Sequence, residues 1–369
     1  MLKQGVQAAC VIAAASMASP AAAKPSGGAI DDKPLVTGTF IQLNETSASA
    51  GGDWWRRQVE AMHEVGMDTV VIQYVGYGER YFYPTDIEGV KANPDDSLEH
   101  ILAAADDTGI RVFMGLQLSD KFWGGAFDHD ANLKRNRSTL DELHTRYGKH
   151  HSLVGWYIPE EISDHTARNP EFAESLLDYI GSITKLARES TGLSVMISPY
   201  FGQQPDARAY ADWWDKTALP RINIDILAMQ DGVGTHRTTI EEARPVYEAL
   251  APVLKKHEVT FWANNECFDQ LHGWPVDEQD WAAGPVGFKK FLAQVRSTYP
   301  LVEKSITFEF TTYMDLTKPG PSSDLYEAYR AYFAEISGRE TSGQTVQPLG
   351  SVIKTTFKGA NRVANARQE

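Results

Sequence analysis

Short apolar runs rich in β-branched and aromatic residues alternate with longer amphipathic segments along most of the chain. This alternation is typical of a parallel sheet whose strands are connected by helices, because such strands are buried on both faces. Eight strand-and-helix units can be counted. The predicted strands are Gly38–Leu43, Asp68–Tyr74, Arg111–Gln117, Leu153–Ile158, Ser194–Tyr200, Asp225–Met229, Thr260–Asn264 and Ser305–Phe310.

Apolar residues at three- and four-residue spacing predict helices between these strands. Three of the helices are followed by a glycine before the next strand, at Gly66, Gly109 and Gly192. A glycine at that place favours the left-handed turn that closes a helix, which supports the predicted boundaries. The predicted helices include Trp54–Val65, Leu98–Thr108, Glu171–Glu189, Ile240–His257 and Leu325–Ile336.

The segment after the first predicted strand distinguishes two folds that share this alternation. An open, doubly wound sheet normally has a glycine-rich phosphate loop there, whereas this chain has Gln42-Leu43-Asn44-Glu45. We therefore predict a closed α/β barrel, the (β/α)8 or TIM barrel, as one domain from residue 35 to residue 337. Barrels of this size are commonly undivided.

The two ends of the chain depart from the alternating pattern. Residues 1–23 combine Lys3, an apolar run and Ala21-Ala22-Ala23, which are features of a secretory signal peptide cleaved after Ala23. Residues 24–34 are predicted to be a linker and residues 338–369 a flexible polar tail. We expect an exported protein, periplasmic or secreted. The apolar run is shorter than the roughly 20 residues that a membrane helix needs, so no membrane anchor is expected.

Charge and cysteine content exclude several classes of partner and cofactor. The formal net charge of −14 disfavours binding to nucleic acid, whose phosphates it would repel. Signal cleavage would leave Cys267 as the only cysteine, without a partner for a disulfide. Neither His129 nor the His150-His151 pair belongs to a recognised metal motif, and no Gly-x-Ser-x-Gly elbow follows a strand. We expect no cofactor and no catalytic metal; protein partners stay unknown.

Polar and aromatic residues follow the predicted strands, where a (β/α)8 barrel builds its active site. Amides and carboxylates beside aromatic rings suit a carbohydrate substrate, because sugar hydroxyls both donate and accept hydrogen bonds while C–H faces stack on rings. Trp123 and Trp274 are the preferred stacking platforms because both lie beside glycines in loops. The predicted substrate-binding residues are Gln42, Gln73, Gln117, Trp123, Glu160, Tyr200, Gln230, Asp231, Asn264, Asn265, Trp274, Glu309 and Tyr313.

Two carboxylates are the candidate catalytic groups, because a pair flanking a glycosidic bond can divide the work of protonation and attack. The fourth strand ends in Glu160-Glu161, and adjacent residues of an extended chain point to opposite sides, so only one of them is expected in the site. We select Glu161, since Glu160 follows Pro159 in the predicted turn. Glu266 follows the seventh strand among apolar residues, which predicts that it is buried. We expect hydrogen bonds from Asn264, Asn265 or a residue of the eighth strand to keep it ionised.

The chain from residue 35 to residue 336 resembles a bacterial family of uncharacterised proteins that are assigned as TIM-barrel glycoside hydrolases. The resemblance rests on Gly38-Thr39-Phe40-Ile41-Gln42, on Trp156-Tyr157-Ile158-Pro159 followed by Glu161, and on Gln230-Asp231-Gly232 with Gly234. More distantly, the chain is similar to the retaining glycosidases with an acid/base glutamate after strand four and a nucleophilic glutamate after strand seven. Glu161 and Glu266 match those places, although Glu160 stands where that superfamily usually has asparagine.

The leading functional hypothesis is therefore a retaining glycoside hydrolase acting on a polysaccharide or oligosaccharide, with Glu161 as acid/base and Glu266 as nucleophile. One alternative is a carbohydrate-binding barrel without turnover, which would use the same amides and aromatic residues. The other is an inverting hydrolase in which Asp231 is the base.

Overall fold

The computed structural model describes residues 33–124, 127–202 and 205–338. It confirms the predicted closed barrel of eight parallel strands, in which each strand pairs with its neighbours in the chain and the last pairs with the first. The predicted signal peptide, almost all of the linker and the tail beyond Gly338 lie outside the described residues. The barrel strands are β1 Gly38–Ile41, β2 Thr69–Ile72, β3 Arg111–Gly115, β4 Leu153–Ile158, β5 Ser194–Ile197, β6 Ile226–Gln230, β7 Thr260–Glu266 and β8 Lys304–Phe308.

The two faces of the strands bury different sets of residues. One apolar cluster contains a residue or two from every strand and fills the inside of the barrel, and a much larger cluster contains the alternate residues packed against the helices. Side chains of a strand point alternately to its two faces, so the inner set fixes the direction of every later residue that continues the strand. The inner set is Phe40, Val71, Phe113, Tyr157, Met196, Ile226, Ala228, Trp262 and Ile306.

Each barrel strand is followed by a main helix, and the five predicted helices are confirmed within two residues at their ends, except that α8 begins four residues earlier. Gly66 has a φ of 81°, and Gly109 and Gly192 have φ values of 76° and 70°, as expected for the closing turns. The helices are α1 Gly52–Glu64, α2 Ser97–Thr108, α3 His129–Tyr147, α4 Pro170–Thr191, α5 Ala207–Trp213, α6 Ile240–Lys256, α7 Phe288–Thr298 and α8 Pro321–Ser337.

Additional elements lie in the loops after the strands. A small four-stranded sheet joins Gly76–Tyr77, Arg80–Tyr81, Lys91–Ala92 and Gln117–Leu118. After β7, an antiparallel hairpin pairs Phe268–His272 with Ala282–Pro285. The remaining short helical segments are Glu45–Ala48, Phe122–Gly124, Asp164–Arg168, Trp214–Ala218, Leu219–Ile222, Tyr299–Leu301 and Phe310–Tyr313. Within residues 33–338, apart from the gaps given above, no helix is long and apolar enough to cross a membrane.

Candidate active site

A pocket of about 220 Å³ opens at the carboxyl ends of the barrel strands. Its floor is formed by the uppermost rings of the barrel interior, Phe40, Tyr157 and Phe308, and its wall by polar side chains from the strand ends. The loops after β6 and β7 complete the wall. The lining residues are Phe40, Gln73, Trp123, Tyr157, Glu161, Ser198, Gln230, Thr235, Arg237, Asn264, Glu266, Phe268, Trp281 and Phe308.

Six of the predicted site residues line this pocket, including both candidate catalytic glutamates. Five of them follow an inward-facing strand residue by two or four positions, the step that keeps a side chain on the same face. Glu161 follows Tyr157 by four positions in this way, and Glu266 follows Trp262. The sixth, Trp123, lies in a loop and is 37% exposed. The six are Gln73, Trp123, Glu161, Gln230, Asn264 and Glu266.

Three further predicted residues contact side chains of the lining without being part of it. Gln42 donates a hydrogen bond of 2.8 Å from Nε2 to Oε1 of Gln73, which fixes that amide at the pocket wall. The rings of Tyr200 and Trp274 lie 5.0 and 5.7 Å from the guanidinium carbon of Arg237. These residues therefore support the pocket through Gln73 and Arg237.

Asp231 and Asn265 do not line the pocket, because each is one position out of step with the inward residues of its strand. Asn265 donates a 2.9 Å hydrogen bond to Oδ2 of Asp231, and Gln294 of α7 donates another of 3.2 Å to the same oxygen. The other oxygen of Asp231 accepts from the backbone N–H groups of Val233 and Glu266 at 3.1 and 3.4 Å. The carboxylate thus faces the helix layer, and this geometry does not support its role as the base of an inverting hydrolase.

Three more predicted residues make their contacts with other protein groups. The amide of Gln117 donates to the carbonyls of Gly78 and Leu118 and holds two loops together. Glu309 is buried and accepts hydrogen bonds from both the backbone and the hydroxyl of Thr311, as the cap of a short helix. Tyr313 stacks on Phe268 with ring centroids 5.1 Å apart. None of the three is among the pocket-lining residues, so their predicted contact with substrate is not supported.

Glu160 is also buried away from the pocket. It lies near Tyr179 of α4, and neither of its carboxyl oxygens makes a hydrogen bond of ordinary geometry with a described residue. Burial raises the pKa of Glu160 to about 8, because the charged form has lost water without gaining a cation. Glu160 and Glu161 therefore point to opposite sides of the strand, as predicted, and Glu160 faces the helix layer.

Glu161 is half-buried in the pocket wall, and burial raises its pKa to about 7. Hydrogen bonding with Gln230 and the positive charge of Arg237 oppose this rise in part. A carboxyl group with a pKa near 7 can both donate a proton and accept it back at neutral pH.

Glu266 is almost fully buried, and its Oε2 accepts a 2.8 Å hydrogen bond from the backbone N–H of Thr235. Burial, followed by the nearby charge of Asp231, raises its pKa to about 8, although Thr235 and Arg237 oppose the rise. The expectation that Asn264 or Asn265 would keep Glu266 ionised is wrong. Asn264 donates to Ser198, and Asn265 donates to Asp231.

Sequence analysis missed the loop after β6, which supplies Thr235 and Arg237 to the pocket. Gly232 has a φ of 66°, and a side chain at Gly234 would collide with the carbonyl of Phe268 and with Glu266. The two glycines therefore let the loop fold tightly over Glu266. Gly232 and Gly234 belong to the motif given in the sequence analysis. Arg237, three positions after Gly234, was the sequence feature that could have indicated a pocket residue in this loop.

The pocket thus combines two proton-holding carboxyls, side-chain amides, one guanidinium and several aromatic rings. Carboxyls that are protonated and ionised near neutral pH can act as general acid and base, and amides with rings can hold a polar ligand that has apolar faces. Among the described residues, no group of three or more His, Cys, Asp and Glu side chains is placed to hold a metal ion.

The fold and pocket define a (β/α)8-barrel protein with a pair of carboxyls at the strand ends. Residues 36–322 match the family described as domain of unknown function DUF4434, and the chain belongs to that family. The predicted membership of a family of uncharacterised barrel proteins is confirmed. The uncharacterized protein YbcH of Escherichia coli (strain K12) is 23% identical over 222 residues, which cover 58% of this chain and 71% of YbcH.

Two solved structures share the fold. A “putative alpha-L-fucosidase” from Bacteroides thetaiotaomicron VPI-5482 has a TM-score of 0.70 and 23% identity, over 83% of this chain and 97% of that protein. An endo-1,4-beta-D-mannanase from Thermotoga petrophila RKU-1 has a TM-score of 0.54 and 11% identity, over 80% of this chain and 99% of that protein. At these identities the similarity establishes the barrel architecture.

Proposed function

We propose that this protein is a glycoside hydrolase that cleaves a polysaccharide or oligosaccharide by a two-carboxylate mechanism. The observation that carries the proposal is the convergence of Glu161 and Glu266, from the ends of β4 and β7, on one pocket with amide and aromatic walls. The names of the two structural relatives, a “putative alpha-L-fucosidase” and an endo-1,4-beta-D-mannanase, support the same reaction class. The barrel fold alone would not, because it hosts many chemistries.

In the retaining version of this mechanism, Glu161 protonates the leaving oxygen and Glu266 attacks the anomeric carbon. A glycosyl-enzyme ester forms as the glycosidic bond breaks; Glu161, now ionised, then takes a proton from water, and that water releases the sugar and frees Glu266. Glu161 has the proton affinity that this exchange needs near pH 7. Gln73, Gln230 and Asn264 supply amides for the sugar hydroxyls.

One observation favours a second assignment, in which the two roles are exchanged. Burial raises the pKa values of both glutamates, and at Glu266 the charge of Asp231 adds to the rise. A carboxyl with the higher pKa is the better store of a proton, and its neighbour is then the better nucleophile. Kinetics of the two glutamine variants distinguish the assignments.

The test compares Glu161→Gln and Glu266→Gln on aryl glycosides with good leaving groups and on unactivated glycans. Loss of the acid should slow unactivated substrates by roughly 100-fold or more and spare activated ones, whereas loss of the nucleophile should slow both. We expect Glu161→Gln to show the first pattern; the exchanged roles predict the reverse. Glu160→Gln is the matched control, because its carboxyl lies outside the pocket. Activity within a few-fold of the parent in either pocket variant would remove that residue from the mechanism.

A further inference from the structure

The loop after β6 places a cation in the pocket that two-carboxylate hydrolysis does not require. We infer that the pocket binds a sugar bearing an anionic substituent, a carboxylate or a sulfate, and that Arg237 is the residue that recognises it. The inference rests on the proposed function and deepens it by naming a substrate class. It concerns binding, so it can be tested without turnover.

Arg237 is held in position by its own loop and by aromatic rings. Its backbone N–H donates to the carbonyl of Gly232 at 3.1 Å, and that carbonyl also accepts from the hydroxyl of Thr235 at 3.0 Å. The guanidinium carbon lies 5.0 Å from the ring centroid of Tyr200 and 5.7 Å from that of Trp274. Cation–π contacts of this kind orient the planar group and restrict its motion before a ligand arrives.

The charge of Arg237 is not paired within the protein. In the described part of the chain, its guanidinium has no carboxylate oxygen within 4.0 Å, and its Nε is buried without a hydrogen-bond partner. Arginines outside the pocket differ: Arg168 lies 2.7 Å from Asp164, and Arg188 lies 2.7 Å from Asp225. A buried donor without a partner costs free energy that a ligand can offset by accepting from it.

The two pocket glutamates do not neutralise this cation near pH 7. Both are near enough for Arg237 to lower their pKa values, yet burial still raises them to about 7 and about 8. Both carboxyls therefore ionise less readily than exposed ones, and near pH 7 they offset the charge of Arg237 only in part. In a chain with a net charge of −14, this local charge is opposite to that of the whole molecule.

A guanidinium is matched to the proposed ligand by shape as well as by charge. Its N–H groups form a planar fork that pairs with two oxygens of a carboxylate or sulfate, whereas a neutral sugar hydroxyl offers one. Among the described pocket-lining residues it is the only lysine or arginine, so discrimination between charged and neutral sugars should depend on this one side chain.

The experiment measures binding by titration calorimetry at low ionic strength, with monosaccharides matched in stereochemistry. Glucuronate, galacturonate and mannuronate are compared with glucose, galactose and mannose, and a 6-sulfated hexose is included to separate sulfate from carboxylate. We expect at least one anionic sugar to bind roughly 10-fold or more tightly than its neutral counterpart, as for a charge-assisted bidentate contact. In Arg237→Met the preference should disappear, and in Arg237→Lys it should be reduced, because lysine keeps the charge without the fork.

Arg56→Met is the control for loss of a positive charge, because Arg56 is exposed and paired with Asp107. Thermal melts of the Arg237 variants verify that they are folded. Equal binding of charged and neutral sugars by the parent, or a preference that survives in Arg237→Met, would overturn the inference. Hydrolysis of neutral glycosides without anion preference would reject it while leaving the proposed function intact. Anion preference without hydrolysis of any substrate would support the inference and count against the proposed function.

Discussion

Glu160 and Glu161 are adjacent in the chain, but their carboxyl groups lie in different surroundings. Glu161 lines the pocket with a cation nearby, whereas Glu160 faces Tyr179 in the helix layer without a charge partner. Because burial raises the pKa of Glu160 from 4.5 to about 8, the folded protein holds a proton there that the unfolded chain releases. This proton affects stability rather than catalysis, and its contribution has a defined sign.

The stability that Glu160 contributes is fully present below pH 4.5 and is lost as pH rises towards 8. In that window each such carboxyl lowers the free energy of unfolding by about 1.4 kcal/mol per pH unit. Glu160→Gln has no proton to release at this position. The slope of its free energy of unfolding against pH should therefore be smaller by the contribution of about one proton. Urea unfolding at pH 5, 6, 7 and 8 measures the slope. Equal slopes in parent and variant would mean that Glu160 is already ionised in the folded state.

The opposition of these two glutamates was predictable because extended residues alternate, but the direction of most other polar residues was not. In a barrel both faces of a strand are apolar, so the sequence has no alternation of polar and apolar positions that marks the inner face. Asp231 and Asn265 were assigned to the pocket for this reason. Once Tyr157 and Trp262 are known to point inward, counting in steps of two separates Glu161 and Glu266 from these residues.

At the level of elements, the pattern of apolar residues predicts the barrel strands and the apolar helices, but it does not predict the structure of the loops. The buried face of helix α3 is partly polar and includes Asn132, Asn136 and Thr139, so its apolar spacing is weaker than that of the five helices given by residue range in the sequence analysis. The hairpin of Phe268–His272 and Ala282–Pro285 has no short turn signal, since nine residues separate its strands. Yet this hairpin supplies Phe268 and Trp281 to the pocket.

Between the two strands of the hairpin, Trp274 is 44% exposed and packs against Arg237. We expect Trp274→Ala to weaken binding of a substrate oligosaccharide by about 3- to 10-fold through lost stacking, and Trp274→Phe to recover most of the loss. Leu271→Ala is the control, because Leu271 is 55% exposed on the same hairpin but, unlike Trp274, is not an aromatic ring packed against Arg237. Fluorescence titration measures the affinities. An equal loss in Leu271→Ala would indicate a general effect of the hairpin on binding, and no loss in Trp274→Ala would exclude the platform role.

For the whole molecule, we propose export on the basis of the apolar start and Ala21-Ala22-Ala23, which lie outside the described residues. Protein recovered from its native host should then begin near Lys24, because the signal is removed during export. Amino-terminal sequencing after cell fractionation measures this directly. Protein that retains Met1 in the cytoplasmic fraction would contradict it.

A (β/α)8 barrel with a polar pocket can bind a glycan without cleaving it, so turnover is the property that separates the proposed enzyme from a binding barrel. The decisive measurement is the release of reducing ends from a panel of bacterial and plant glycans, with calorimetric binding of the same glycans in parallel. The parent should bind and cleave at least one glycan, and the Glu161→Gln/Glu266→Gln double variant should bind it without cleavage. If the parent binds one or more glycans of the panel and cleaves none of them, the proposed hydrolysis is contradicted and the protein is a carbohydrate-binding barrel.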